Sequence, residues 1–206
     1  MLERPSIGYR AIKRLIDVAG ASVALLLFSP VMIAVAIAIF LQDPRAPVLF
    51  RQRRAGLGGR PFALLKFRTM VRDADEIKEQ LRHLSLVAWP DFRLENDPRV
   101  TRLGRFLRKT SLDELPQFLN VLRGDMSLVG PRPTSFDMTT YDPWQTGRLD
   151  FRPGITGPWQ VQGRSSMDFE ERCRLEISFF RKPSLLREIA LIAATTRSVL
   201  RREGVA

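Results

Sequence analysis

The alternation of polar and apolar positions divides the chain into segments of different period. Residues 18–42 carry no charged side chain, a run about as long as the roughly 20 apolar residues that cross a bilayer. The run is longer than a signal h-region, so it predicts a helix that stays with the protein. Ser29-Pro30 falls near its middle. Proline removes one helical hydrogen bond and crowds the preceding turn, so a bend is expected there, with the Ser29 hydroxyl donating to a freed carbonyl. Arg4, Arg10, Lys13 and Arg14 precede the run; Arg45, Arg51, Arg53, Arg54 and Arg60 follow it. Hydropathy alone is satisfied by a simple spanning helix. The positive-inside rule places both flanks in the cytoplasm, and only a helix that goes in, bends and leaves by the same face satisfies that too. The expected organisation is a re-entrant anchor over residues 1–43, broken at Ser29 and Pro30, and a second unit over residues 44–206 on the cytoplasmic face.

Beyond the anchor the period changes. Residues 48–70 read as a β-hairpin, V-L-F-R-Q-R-R and P-F-A-L-L-K-F-R joined by Gly56, Leu57, Gly58 and Gly59. The glycines read as a tight turn and not a phosphate loop, because no helix start follows them. Residues 73–87 form a polar helical pattern with Ile77, Leu81 and Leu84 on one face. Residues 101–122 carry a longer helical pattern. Pro116 fits the first turn of a second helix better than an interior position, so a break is expected over residues 109–113, with Thr110 or Ser111 as cap. Residues 130–158 are turn-rich and read as ordered loop. Residues 184–202 are amphipathic, with Leu185, Ile189, Ile192, Ala193, Thr196, Val199 and Leu200 on one face. That helix either packs on a core or lies in a membrane interface with its arginines on lipid phosphates. The expected fold class is α+β, predominantly helical: a small domain with a β-hairpin, interfacial amphipathic helices and the N-terminal re-entrant helix.

Composition narrows the chemistry. The chain has 206 residues, 45% of them hydrophobic, and a net charge of +11 from 33 Lys and Arg against 22 Asp and Glu. That excess calls for an anionic partner: nucleic acid, anionic lipid or a phosphorylated substrate. Cys173 and His83 are the only residues of their types, which excludes an internal disulfide and a Cys/His metal cluster. His83 sits among leucines and reads as structural, so catalysis must rest on carboxylates, hydroxyls, Lys or Arg.

R-K-T-S-L-D-E-L-P-Q, residues 108–117, puts Asp113 and Glu114 side by side at an expected helix start. A helix N-terminus favours negative charge and would keep a carboxylate ionised and nucleophilic. Arg108 and Lys109 add positive charge that suits phosphate, and a hard oxygen site suits Mg²⁺ better than zinc. Acidic residues at a helix start also serve as ordinary caps, so the pair alone assigns nothing. G-D-M-S-L-V-G-P-R-P holds Arg132 between two prolines, rigid enough to grip a diphosphate. Lys66 and Arg68 in K-F-R-T-M, Arg152 in R-P-G-I-T-G and Arg164 in Q-V-Q-G-R complete a set of cations beside turn motifs.

Taken in order, K-R-L-I-D, S-P in an apolar run, K-F-R-T-M, T-S-L-D-E-L-P-Q, G-D-M-S-L-V-G-P-R-P and P-G-I-T-G-x-W-Q closely resemble the bacterial sugar transferase family, over about residues 13–202. These are monotopic phosphoglycosyl transferases that prime exopolysaccharide, O-antigen and glycan assembly. The resemblance implies an anchor broken at Ser29-Pro30, a catalytic dyad at Asp113 and Glu114 with Asp113 as nucleophile, and Mg²⁺ beside Asp113. It implies a UDP-sugar donor and a polyprenol phosphate acceptor such as undecaprenyl phosphate. Lys66, Arg68, Arg108, Arg132, Arg152 and Arg164 then become substrate-binding candidates. The implied place is the cytoplasmic face of the bacterial inner membrane, against anionic lipid, with a homodimer left open. The chain departs from the family's L-D-x-x-Y stretch, with Glu176 for Asp and Phe179 for Tyr. That departure leaves the role of the stretch, Glu176 included, open, and bears on sugar preference.

Two other classes meet part of the pattern. A nucleic-acid-binding protein fits the charge but not the apolar run, and no aromatic-basic RNA motif is present. A non-enzymatic membrane scaffold of polysaccharide synthesis fits the anchor but leaves Asp113-Glu114 idle.

Overall fold

The computed structural model describes residues 6–85, 94, 96–134, 138–162 and 167–200. The first helix, α1 (Ile7–Gln42), is 36 residues long. Ser6 starts it by accepting the Tyr9 N–H, and Asp43-Pro44 stops it. It is long and apolar enough to cross a membrane, by length and composition. Pro30 lies inside α1, and its missing N–H would have served the Leu26 carbonyl. The Ser29 hydroxyl serves that carbonyl instead, at 2.8 Å.

A straight helix of 36 residues is about 54 Å long. Both ends of α1 nevertheless pack on one body. Near the N-terminus, the buried Asp17 carboxylate accepts the Ser127 hydroxyl and the Leu128 N–H, each at 2.9 Å. Arg14 donates to the Val121 and Leu122 carbonyls at 2.6 and 2.8 Å. Near the C-terminus, Val35 and Ile39 share a core with Phe67, Leu107 and Leu115. Phe118 packs against both this cluster and the one containing Ala21, Leu64, Val121 and Met126. Between the two arms, Val23, Leu26, Leu27 and Ile33 are exposed, Leu26 by 79%.

β1 (Leu49–Ala55) and β2 (Pro61–Phe67) form the expected antiparallel hairpin, Leu49 opposite Phe67 and Ala55 opposite Pro61. The glycine segment closes it as a turn, with Gly58 at φ +62° and the Gly56 N–H on the Arg60 carbonyl at 2.8 Å. α2 (Ala74–Leu81) ends in a 3₁₀ turn over Arg82–Leu84, and Ile77 and Leu81 are only half-buried.

α3 (Arg102–Lys109) and α4 (Gln117–Arg123) confirm the break and the place of Pro116 just ahead of α4. The expected cap does not form. The Thr110 hydroxyl turns back to the Phe106 and Leu107 carbonyls of α3, and Ser111 caps nothing with its side chain. Instead Ser111 takes a left-handed conformation, φ +56°, that folds the chain into a 3₁₀ turn at Leu112–Glu114.

The turn-rich loop contains a short parallel pair, β3 (Ser127–Val129) with β4 (Gly154–Thr156), followed by α5 (Pro158–Gln162). α6 (Phe169–Arg181) has no counterpart in the sequence reading, although Asp168 and Glu171 form a capping box at its start. In α7 (Leu185–Leu200) the inward face is rotated from the expected one: Glu188, Leu191 and Ser198 are buried, while Ile189, Ala193 and Thr196 are exposed. The cause is polar. The Glu188 carboxylate receives Lys13 at 2.5 Å and the Tyr9 hydroxyl, which ties α7 to α1. The fold is thus mostly helical with two small two-stranded sheets.

Candidate active site

Asp113 and Glu114 sit on the 3₁₀ turn between α3 and α4, and their environments separate them. Glu114 faces two cations, Lys66 Nζ at 2.7 Å and the Arg132 guanidinium at 2.5 and 3.3 Å. Burial alone would raise its pKa, but Arg132 and Lys66 prevail and hold it well below the usual carboxylate range. Asp113 is 7% exposed, and among the described residues no side chain donates a hydrogen bond to it. Burial pushes its pKa up to about 6, against Lys66, Arg108 and Arg132; the negative Glu114 adds to the rise. Burial thus opposes the ionisation that a helix start would favour, and the residues around Asp113 form a 3₁₀ turn rather than a helix start; about 6 still leaves the carboxylate mostly ionised at neutral pH.

The pair adjoins a cavity of about 210 Å³. Neither carboxylate lines it; Lys66 and Arg132 do, and they join Glu114 to its wall. Arg54, Arg148 and Arg172 add cations, and Trp159 and Phe169 add aromatic rings. The Arg172 guanidinium lies over both rings, 5.3 Å from the Trp159 centroid and 5.8 Å from that of Phe169. Arg54 is tied to Gln52 and to the Pro133 carbonyl, and burial with Arg132 nearby lowers its pKa to about 10, so it remains charged at neutral pH.

The expected substrate-binding cations divide. Lys66 and Arg132 meet at Glu114. Arg108 is half-buried, donates to the Thr69 hydroxyl at 3.0 Å and interacts with Asp113 and Asp97. Arg68 holds the end of α1, donating to the Ile39 and Asp43 carbonyls at 3.3 and 3.1 Å, so its partners lie at the end of that helix and not in the cavity. Arg152 is exposed and outside the cavity wall. Arg164 lies outside the described residues. Arg54, Arg148, Trp159, Arg172 and Glu176 were missed. Glu176 is fully buried and paired at 2.6 Å with Arg148, which lines the cavity.

The donor set bears on metal. Among the described residues no three His, Cys, Asp or Glu side chains cluster, so a protein-only cage is absent there. A single unpaired carboxylate beside a cationic cavity fits an ion that takes its other ligands from water and phosphate oxygens, as Mg²⁺ does.

Comparison with known proteins gives the lineage. A family model described as bacterial sugar transferase matches residues 8–202. The chain is 42% identical over 194 residues to "Galactosyl transferase CpsE" of Streptococcus agalactiae, covering 93% of this chain and 43% of that protein. It is 41% identical over 197 residues to "Exopolysaccharide production protein ExoY" of Rhizobium meliloti, covering 93% and 87%. The "UDP-glucose:undecaprenyl-phosphate glucose-1-phosphate transferase" of Caulobacter vibrioides is 41% identical over 202 residues, covering 91% and 69%. The chain thus spans less than half of CpsE and most of ExoY. On the extent of the family match and the identity to ExoY over most of both chains, the protein belongs to the bacterial sugar transferase family.

Proposed function

We propose that the protein transfers a sugar 1-phosphate from a UDP-sugar to a polyprenyl phosphate, undecaprenyl phosphate being the acceptor named for its relative in Caulobacter. The observation that carries this reading is the contrast within the dyad: a buried Asp113 without a hydrogen-bond donor among the described residues, next to a Glu114 saturated by Lys66 and Arg132 at the wall of a cationic cavity. An Asp113 oxygen attacks the sugar-bearing phosphorus. The bond from that phosphorus to the bridging oxygen breaks, and UMP leaves with the electron pair. The aspartyl phosphosugar is then attacked by an oxygen of the polyprenyl phosphate, which forms the diphosphate and returns the carboxylate. Lys66 and Arg132 neutralise the phosphoryl oxygens, and Glu114 orients both cations. Its depressed pKa leaves Glu114 ionised, which supports an orienting role over proton transfer. Asp113 would hold Mg²⁺, which when bound supplies charge neutralisation at the diphosphate. The cavity's chemistry also sets the donor's direction: Trp159, Phe169 and Arg172 suit a flat base, and the cationic end suits the diphosphate.

A panel of UDP-sugars with Mg²⁺ and undecaprenyl phosphate should show UMP release for at least one donor. Donor alone should add one phosphosugar to the intact mass of the protein. Turnover without any such adduct would replace the covalent route by direct transfer.

For the anchor we propose the re-entrant arrangement on the cytoplasmic face of the inner membrane. The packing of both halves of α1 on the rest of the chain supports it, as do the exposed apolar residues between them and Pro30, whose freed Leu26 carbonyl is served by the Ser29 hydroxyl. A cysteine placed at Ser6 in a Cys173→Ser background should react with a membrane-impermeant maleimide only in inverted vesicles. Labelling in right-side-out spheroplasts would mean that α1 crosses the membrane.

A further inference from the structure

The Arg132 main chain is closed from both sides by one buried ion pair. Its N–H donates to Glu176 Oε1 at 2.8 Å, and its carbonyl accepts from the Arg148 guanidinium at 2.7 Å. That same guanidinium nitrogen lies 2.6 Å from Glu176 Oε2. Arg148 is 4% exposed and Glu176 is fully buried. β3 ends at Val129, so no strand partner is available for the Arg132 backbone, and Pro131 and Pro133 restrict it on either side. The Arg132 side chain meanwhile reaches Glu114. A continuous line of polar contacts therefore runs from α6 through Arg132 to the turn that carries the dyad.

We propose that Arg148 and Glu176 are positioning residues for Arg132, and through it for Glu114 and the donor phosphates; this rests on the reading of the cavity as the donor site. Burying an ion pair costs desolvation that is recovered only where further hydrogen bonds use the remaining lone pairs and protons. Here the Arg132 N–H and carbonyl each engage one member of the pair, while Arg148 Nε and Glu176 Oε2 have no hydrogen-bond partner among the described residues. The pair touches neither dyad carboxylate, so its influence must pass through Arg132. Glu176 reaches the Arg132 N–H with Oε1 and lies against the Arg148 guanidinium with Oε2, so separate oxygens face the two groups.

Two measurements on the full chain in phospholipid nanodiscs decide it. Amide exchange over residues 128–134 should quicken roughly tenfold in Glu176→Gln, because the N–H loses its charged acceptor. Exchange unchanged from wild type would overturn the clamp. In the UMP-release assay, Glu176→Gln should lose roughly 10–100-fold in rate, and the double variant with Arg132→Ala should be no slower than Arg132→Ala alone. Independent, multiplying losses would mean that Glu176 does not act through Arg132. If Glu176→Gln melts without cooperativity, Arg148→Lys, which keeps the charge but loses the planar fork, enters the same cycle with the same two outcomes. A wild-type protein that releases no UMP from any donor would defeat the donor reading itself, and the exchange result would still decide the clamp.

Discussion

Replacing Asp113 by asparagine is expected to abolish UMP release, by on the order of 10⁴-fold, while making the folded protein more stable at neutral pH. The first effect follows from the loss of the only proposed nucleophile. The second follows from burial. The folded-state pKa of Asp113, about 6, lies above the ordinary aspartate value, so the folded protein holds this proton more tightly than the unfolded chain does. The stability linked to that proton is complete below the unfolded value and is lost as pH rises through about 6. Above that pH the ionised carboxylate weighs against folding by up to about 3 kcal/mol, which asparagine removes. The melting temperature of Asp113→Asn should exceed that of wild type at pH 8, with the gap closing at pH 4. The wild-type rate with saturating acceptor should rise through a limb near pH 6 as Asp113 ionises. Full activity in the variant would remove Asp113 from the mechanism. A lower melting point at pH 8 would show that the native site favours the charged form.

The second large effect is expected far from any charge. Gly130 closes the approach of β3 to the loop before β4, donating to the Thr156 carbonyl at 3.0 Å, while the Gly154 N–H reaches the Pro131 carbonyl at 2.9 Å. A Cβ on Gly130 would lie 2.1 Å from the Arg152 carbonyl oxygen and 2.6 Å from the Gly154 nitrogen. Both obstacles are main chain and cannot rotate away. Gly130→Ala should therefore cost ~3 kcal/mol or more and lower the melting point by several degrees. It should also abolish UMP release, because the displaced segment leads directly into Pro131 and Arg132. A variant that melts within 2 °C of wild type and turns over normally would mean that the two strands separate without consequence, against the contacts described.

How much of this was legible in the sequence depended on the range of the interaction. The long apolar helix, the proline within it and the Ser29 hydroxyl that serves its freed carbonyl, the hairpin and the interruption before Pro116 are local, and the residues that specify each are neighbours in the chain. Asp113 and Glu114 stand out as adjacent carboxylates, and Arg132 by its flanking prolines, but only the family resemblance joins them into a candidate site. The difference between Asp113 and Glu114 could not be read. It depends on Lys66 and Arg132, which come from a hairpin and a loop distant in sequence. Arg148 and Glu176 were invisible for the same reason, since each gains meaning only by facing Arg132 across the fold. The capping box at Asp168 and Glu171 was local and could have revealed α6. The rotation of α7 could not be foreseen from its own pattern, because Tyr9 and Lys13, 179 and 175 residues away, claim Glu188. Arg68 is grouped with Lys66 by their shared motif, but it falls just past the end of β2 at Phe67, and its guanidinium reaches the carbonyls at the end of α1, a partnership distant in sequence.

Because Val35 and Ile39 complete the core that holds Phe67, Leu107 and Leu115, α1 cannot be cut away without opening the fold. On the proposed re-entrant arrangement, α1 is both the seat in the membrane and a wall of that core. The depth to which the serine-proline elbow sinks fixes the altitude of the reaction centre over the acyl boundary, with no slack linker between them. Leaflet thickness, and hence the chain length of the surrounding lipids, then becomes a variable of the chemistry itself.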